Sequence, residues 1–213
     1  MLKDKQFPYR LYLVTDEAAL RGRDLLWMVE EAVKGGVDLV QLREKKLEDE
    51  AFLLRALQLK EMLQRYNVPL IINDNLVVAE RCAAAGIHVG KSDIPPSLVR
   101  KRWPGCGILG YSIEYEAQLD SEEALTSDYI ALSPVFSTPT KTDTVTEWKL
   151  GGIRRVRATT AKPLVAIGAI SRYNAASVVE AGADCLAVVS AICSAEDPQK
   201  AAAEIRSEIE KHL

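Results

Sequence analysis

The sequence predicts an α/β fold, a (β/α)8 or TIM barrel forming a single domain over residues 1–213. Short β-branched apolar runs alternate with longer stretches of helical periodicity from one end to the other, the pattern of parallel βαβ units. Eight such units are present, and eight close a barrel. The turn after the first run reads VTDEAAL, without the G-x-G-x-x-G expected of a doubly wound nucleotide-binding sheet, the competing architecture.

The strands are expected to begin near Leu11, Leu39, Pro69, Gly86, Gly107, Asp128, Pro163 and Cys185. Helices are expected over Asp24 to Lys34, Glu50 to Gln64, Val77 to Ala85, Asn174 to Ala181 and Pro198 to Lys211. In the second of these, Phe52, Ala56, Leu59 and Leu63 recur at helical spacing and make one apolar stripe to lay on a sheet. No linker, low-complexity segment or long charge run divides the chain. The least regular stretch is STPTKTDTVTEWKLGG, Ser137 to Gly152, between the sixth strand and the next helix. Its length and polarity fit a mobile lid or an inert surface loop.

Of the 213 residues, 48% are hydrophobic and 27% charged, a composition that supports one globular core. The 27 Lys and Arg against 30 Asp and Glu leave a net charge of -3. No general attraction to nucleic acid or to an anionic membrane follows, so an anionic ligand must meet a local cluster of cations. The start MLKDKQFPYR lacks the apolar region of a signal peptide, and no run has the length needed to span a bilayer. A cytoplasmic location is expected. Cys82, Cys106, Cys185 and Cys193 include no C-x-x-C pair and read as reduced core thiols. With only two histidines, one of them the penultimate residue His212, a Ser-His-Asp triad and a His-rich zinc site are both disfavoured. His88, between Ile87 and Val89, reads as a hydrogen-bonded histidine of the barrel wall.

In a barrel of this kind the active site lies at the C-terminal ends of the strands. The second strand runs into Gln41, Leu42, Arg43, Glu44, Lys45. Alternation turns Gln41, Arg43 and Lys45 into the barrel mouth and Val40 and Leu42 toward the helices. Asn73 and Asp74 end the third strand, and Asp93 follows the fourth. Two carboxylates from adjacent strands suit Mg2+ completed by water and phosphate oxygens, although an Asp at such a junction is also a common helix N-cap. After the sixth strand come Thr138, Thr140 and Lys141, whose hydroxyls and ammonium suit phosphate, in a Ser/Thr/Pro context that also makes ordinary loops. Small residues around Gly168-Ala169 and Val189-Ser190 let backbone N–H groups approach an anion, or simply pack tightly.

Read together, these segments resemble the thiamin phosphate synthase family of (β/α)8 barrels, and the match runs from LYLVTD to VVSAI. The order QLREK, ND, a Gly-containing turn ending in Asp, T-x-TK, IGxI and VVSAI is more specific than any single piece. The resemblance implies a Mg2+-dependent transferase that joins hydroxymethylpyrimidine diphosphate to thiazole phosphate, releasing pyrophosphate. It implies that Gln41, Arg43, Lys45 and Asn73 hold the pyrimidine diphosphate, with Asp74 and Asp93 on Mg2+. Ser112 and Lys141 reach the diphosphate in the same scheme, while Thr138, Thr140 and the backbone at Ala169, Val189 and Ser190 hold the thiazole phosphate. Arg43, Lys45, Ser112 and Lys141 are the catalytic candidates.

Four positions depart from the family pattern. Lys91 stands for a usual Gln, Glu114 for a His often found after G-x-S, Ser133 for a Gly, and Ala169 for the second Gly of IGGI. A related thiazole tautomerase and a non-catalytic barrel that binds a phosphorylated ligand are the alternatives. The missing histidine at Glu114, with both Asp residues and Lys141 retained, favours the synthase. The expected partners are small-molecule substrates, with homo-oligomerisation left open.

Overall fold

In the structure, a computed structural model, residues 7–137 and 147–212 are described. Eight parallel strands close into a barrel in sequence order: β1 (Leu11–Val14), β2 (Leu39–Leu42), β3 (Leu70–Asn73), β4 (Gly86–Val89), β5 (Ile108–Ile113), β6 (Tyr129–Leu132), β7 (Leu164–Ile167) and β8 (Cys185–Val188), with β8 pairing back onto β1. Each begins at the expected residue or one later. Two of the one-residue differences fall on prolines: Pro69 and Pro163 have no N–H to donate, yet their carbonyls accept from Val40 and Ile130 and prolong the ladder.

Around the barrel lie α1 (Leu25–Lys34), α2 (Asp49–Gln64), α3 (Leu76–Arg81), α4 (Pro96–Arg102), α5 (Glu122–Thr126), α6 (Lys149–Thr159), α7 (Ala175–Glu180), α8 (Ser190–Cys193) and α9 (Pro198–Glu210). In α1 the Asp24 carboxylate caps the first turn by accepting from the Trp27 N–H, and Leu25, Met28, Val29, Ala32 and Val33 form its buried face. Phe52, Ala56, Leu59 and Leu63 of α2 are all buried, as their spacing predicts.

Two expectations need correction. Helix α3 stops at Arg81 rather than Ala85, because Ala83 turns left-handed (φ 47°) and Ala85 already donates to Leu70 on the path into β4. The irregular segment expected to reach Gly152 instead gives way to α6 at Lys149, whose first turns bury Gly152 and Ile153.

Strand alternation divides the core in two. Tyr12, Val14, Leu39, Ile71, Tyr129, Ala131, Val165, Cys185 and Ala187 point inward and fill the barrel. Leu11, Leu13, Val40, Leu42, Leu70, Ile72, Ile87 and Val89 point outward into the shell beneath the helices, where each fully buried aliphatic side chain stabilises by about 1.5–3 kcal/mol. The four cysteines are buried thiols; burial pushes the Cys193 thiol up to about 12. Among the described residues no helix is long and apolar enough to cross a membrane.

Candidate active site

A cavity of about 700 Å³ opens at the C-terminal ends of the strands. Its floor is the inward layer of Tyr12, Ala131, Val165 and Ala187. Closer to the opening the same alternation presents polar side chains, because there the interior meets solvent and ligand rather than more core.

The β2 side carries two cations, Arg43 and Lys45. Gln41 is buried, with its Nε2 donating to the Tyr12 hydroxyl at 2.7 Å. The Arg43 N–H donates to Thr15 Oγ1 at 3.0 Å, and its guanidinium lies 3.6 Å from the Asp16 carboxylate. The Lys45 ammonium sits 2.6 Å from Asp74 Oδ2. Glu44, between them, pairs with Arg55 on the other side of the strand. The period-two pattern thus continues past the end of β2 and delivers both cations to the cavity, as expected.

Facing them are the two carboxylates. Asp74 has φ 60°, a left-handed conformation that Asp tolerates better than most residues, and its N–H donates to the His88 carbonyl at 2.9 Å. Its Oδ2 also accepts from Asn73 Nδ2 at 2.5 Å. Asp93 Oδ2 accepts from the Gly90 N–H at 2.7 Å. Burial and then the adjoining Asp74 carboxyl raise the Asp93 pKa above the ordinary carboxylate value, the behaviour of two like charges brought together without enough positive charge between them. Neither residue caps a helix: Asn75 caps α3 by accepting from the Val78 N–H, and Pro95 precedes α4. The two carboxylates form a pair, and no cluster of three or more His, Cys, Asp and Glu side chains gathers among the described residues. A pair is the protein share typical of a Mg2+ site completed by water and phosphate.

The opposite wall comes from β4 to β8. Ser112 Oγ lies 2.8 Å from His88 Nε2, and His88 Nδ1 lies 2.8 Å from the Tyr129 hydroxyl. His88 is therefore hydrogen-bonded on both ring nitrogens, as expected of a barrel-wall histidine. After β7, Gly168 (φ 119°) has no room for a side chain: a Cβ there would fall 2.7 Å from Pro134 Cβ and 2.9 Å from the Val135 nitrogen. Ala169 follows at φ 49°, its carbonyl accepting from Asn174 Nδ2 at 2.9 Å. Val189 and Ser190 line the cavity where α8 begins.

Gln41, Arg43, Lys45, Asn73, Asp74 and Asp93 thus share one cavity with Ser112, Ala169, Val189 and Ser190. Thr138, Thr140 and Lys141 lie outside the described residues. The chain on the far side of that segment is anchored beside the cavity, with the Trp148 and Lys149 N–H groups donating to the carbonyls of Pro134 and Val135 at 3.0 and 2.9 Å.

Sequence reasoning missed Thr15 and Asp16, which hold Arg43. Their signal was present: VTD is a polar strand end of the kind that identified Asn73 and Asp74. Tyr12 was missed as well, because an inward tyrosine in an apolar run looks like core. The pairing of Lys91 with Glu114, at 3.6 Å on the cavity rim, had no local signal at all.

The family model described as thiamine monophosphate synthase matches residues 11–192. A thiamine-phosphate synthase of Albidiferax ferrireducens is 49% identical over 201 residues, covering 94% of this chain and 92% of that protein. One of Vibrio campbellii is 47% identical over 199 residues, covering 92% and 95%. The solved structure of thiamine phosphate pyrophosphorylase from Pyrococcus furiosus superposes with a TM-score of 0.88 at 29% identity, covering 97% of this chain and 98% of that one. Together with the barrel and its cavity, these matches establish that the chain belongs to the thiamine monophosphate synthase family.

Proposed function

We propose that this protein is a thiamin phosphate synthase, a transferase that couples hydroxymethylpyrimidine diphosphate to thiazole phosphate and releases pyrophosphate. The observation that carries the reading is the confrontation, in one cavity, of Arg43 and Lys45 with the carboxylate pair Asp74 and Asp93. Such an arrangement suits an anion that arrives with a divalent cation.

The bond from the pyrimidine methylene to the diphosphate oxygen breaks, and a bond from that carbon to the thiazole nitrogen forms. The electron-rich aminopyrimidine stabilises the cationic carbon, so no covalent nucleophile from the protein is required. Arg43, Lys45 and Ser112 bind the diphosphate together with Lys141, which lies outside the described residues, and their positive charge and hydrogen bonds stabilise the departing oxygens. Gln41 and Asn73 orient the pyrimidine. Thr138, Thr140 and the backbone at Ala169, Val189 and Ser190 hold the thiazole phosphate, a common use of the loops after β7 and β8 and of a short helix such as α8. Asp74 and Asp93 are the residues that would hold Mg2+, which when bound supplies positive charge to the phosphate oxygens. Holding the two reactants in line contributes much of the remaining acceleration. Buried cysteine thiols accord with a cytoplasmic setting.

The deciding experiment supplies purified protein with Mg2+ and both precursors. Thiamin phosphate and pyrophosphate should appear in equal amounts. Isomerisation of a thiazole carboxylate phosphate without coupling would replace this reading with a tautomerase, and binding without turnover would leave a ligand-binding barrel.

A further inference from the structure

A continuous line of hydrogen bonds, buried except for the half-buried last one, crosses the barrel at the cavity floor. It runs from Gln41 Nε2 to the Tyr12 hydroxyl (2.7 Å), on to the Tyr129 hydroxyl (3.1 Å), to His88 Nδ1 (2.8 Å), and from His88 Nε2 to Ser112 Oγ (2.8 Å). The residues come from β2, β1, β6, β4 and β5. Only the two ends, Gln41 and Ser112, have roles in the proposed reaction. Tyr129 is fully buried and does not line the cavity.

The barrel makes room for this line at one position. Gly110 lies opposite His88 on one side and Tyr129 on the other. A Cβ at Gly110 would fall 2.1 Å from Tyr129 Cζ, 2.2 Å from its hydroxyl and 2.5 Å from His88 Nδ1. Any side chain there would occupy the space in which Tyr129 and His88 meet.

Each hydroxyl has one hydrogen to give, so the direction of one bond sets the next. With Gln41 Nε2 donating to Tyr12, the Tyr12 hydrogen goes to Tyr129 and the Tyr129 hydrogen goes to His88 Nδ1. His88 then carries its proton on Nε2 and donates it to Ser112. The hydrogen of Ser112 is left to point into the cavity, and so is the carbonyl oxygen of Gln41. The opposite direction needs the Gln41 amide turned over, and it would present a Ser112 lone pair to an anion.

We propose that Tyr12, Tyr129 and His88 form a directional relay that positions both ends of the diphosphate substrate site. Gln41 is held as an acceptor for a ligand amino group, and Ser112 as a donor to a phosphate oxygen. The relay couples recognition of an aminopyrimidine to recognition of its diphosphate. It rests on the proposed function only for the identity of the ligand. Tyr129 and His88 act through Gln41 and Ser112 and are positioning residues.

The test reads the His88 tautomer directly, by 15N NMR of the ring nitrogens in a His212→Asn background, where His88 is the one remaining histidine of the two in the chain. In that protein, free and with Mg2+ and inorganic pyrophosphate, the proton should reside on Nε2. Tyr129→Phe should move it toward Nδ1 and raise the KM for the pyrimidine diphosphate by about three- to tenfold, the effect of one lost hydrogen bond, leaving the KM for thiazole phosphate unchanged. Tyr12→Phe, which cuts the line between Gln41 and Tyr129, should raise the same KM and let the His88 proton spread between Nε2 and Nδ1. A wild-type tautomer on Nδ1 overturns the relay. So does a Tyr129→Phe protein that loses stability while keeping both tautomer and KM, since Tyr129 would then serve packing alone. If the wild-type protein fails to couple the two precursors, the proposed function falls, and the tautomer measurements still decide the relay.

Discussion

The Lys91 ammonium lies 3.6 Å from the Glu114 carboxylate and 5.4 Å from the centre of the Tyr115 ring. The two charged residues face each other across the β4 and β5 ends of the cavity rim. Lys91 is 53% exposed and Glu114 15%, so water screens much of their attraction. Lys91→Gln and Glu114→Gln should each alter kcat/KM only modestly. A double-mutant cycle on folding stability should return a coupling below about 1 kcal/mol. A coupling of several kcal/mol would mean that the pair is desolvated and acts as a structural clasp.

Asp93 has the clearest pH signature. Its folded-state pKa lies above the ordinary 3.8, raised by burial and by Asp74. The native protein therefore keeps a proton that the unfolded chain has released, and this group's contribution to stability falls as pH rises from 3.8 through the elevated value. Above that window Asp93→Asn should be at least as stable as the wild type. Its activity should drop, and added Mg2+ should raise the Tm of the wild type but not of this variant. Asp74→Asn should also retain the fold, because Asn tolerates the left-handed backbone, while losing metal-dependent activity. Normal Mg2+ dependence in both variants would remove the metal site from this account.

Ala169 occupies a left-handed conformation at φ 49°. A side chain in that region costs about 1–2 kcal/mol, while glycine's freedom in the unfolded chain returns about 0.4–1 kcal/mol of that difference. Ala169→Gly should therefore stabilise by up to about 1 kcal/mol in denaturant melts, with a KM for thiazole phosphate no higher than wild type. Clear destabilisation would show that the methyl group packs more favourably than its backbone conformation costs.

Lys141 follows Thr140 in the sequence, outside the described residues, and in the proposed reaction it meets the diphosphate while the β7 and β8 backbone holds the thiazole phosphate. Acting on a leaving group that gains charge, it should matter more in the transition state than in the bound substrate. Lys141→Ala should lower kcat by about two powers of ten or more, with a smaller effect on the KM for thiazole phosphate. Lys141→Arg should recover only part of the rate, since a planar guanidinium does not reproduce a compact ammonium. Wild-type kcat with a raised thiazole phosphate KM would assign Lys141 to the acceptor site instead.

Much of the fold was legible in the chain because closing a barrel imposes local rules. Period-two alternation in LVQLREK already separated Gln41, Arg43 and Lys45 from Val40, Leu42 and Glu44, and the structure keeps that division. The end of α3 was harder to see. Runs of alanine continue a helix by propensity, and the segment Cys82-Ala83-Ala84-Ala85 breaks off only because Ala85 is needed to pair with Leu70 at the start of β4.

Sequence by itself determined the eight-unit order, the inward and outward faces, and the strand ends on which polar residues collect, since these depend on spacing along one chain. Tertiary structure alone decided which of those residues meet: Asp74 with Asp93, Lys91 with Glu114, and Tyr12 with Tyr129 across the barrel. The separation of 117 positions between the two tyrosines leaves no periodic trace. Their contact exists because closure of the sheet brings inward side chains from distant strands to one axis, where a hydroxyl without a partner would be costly to bury.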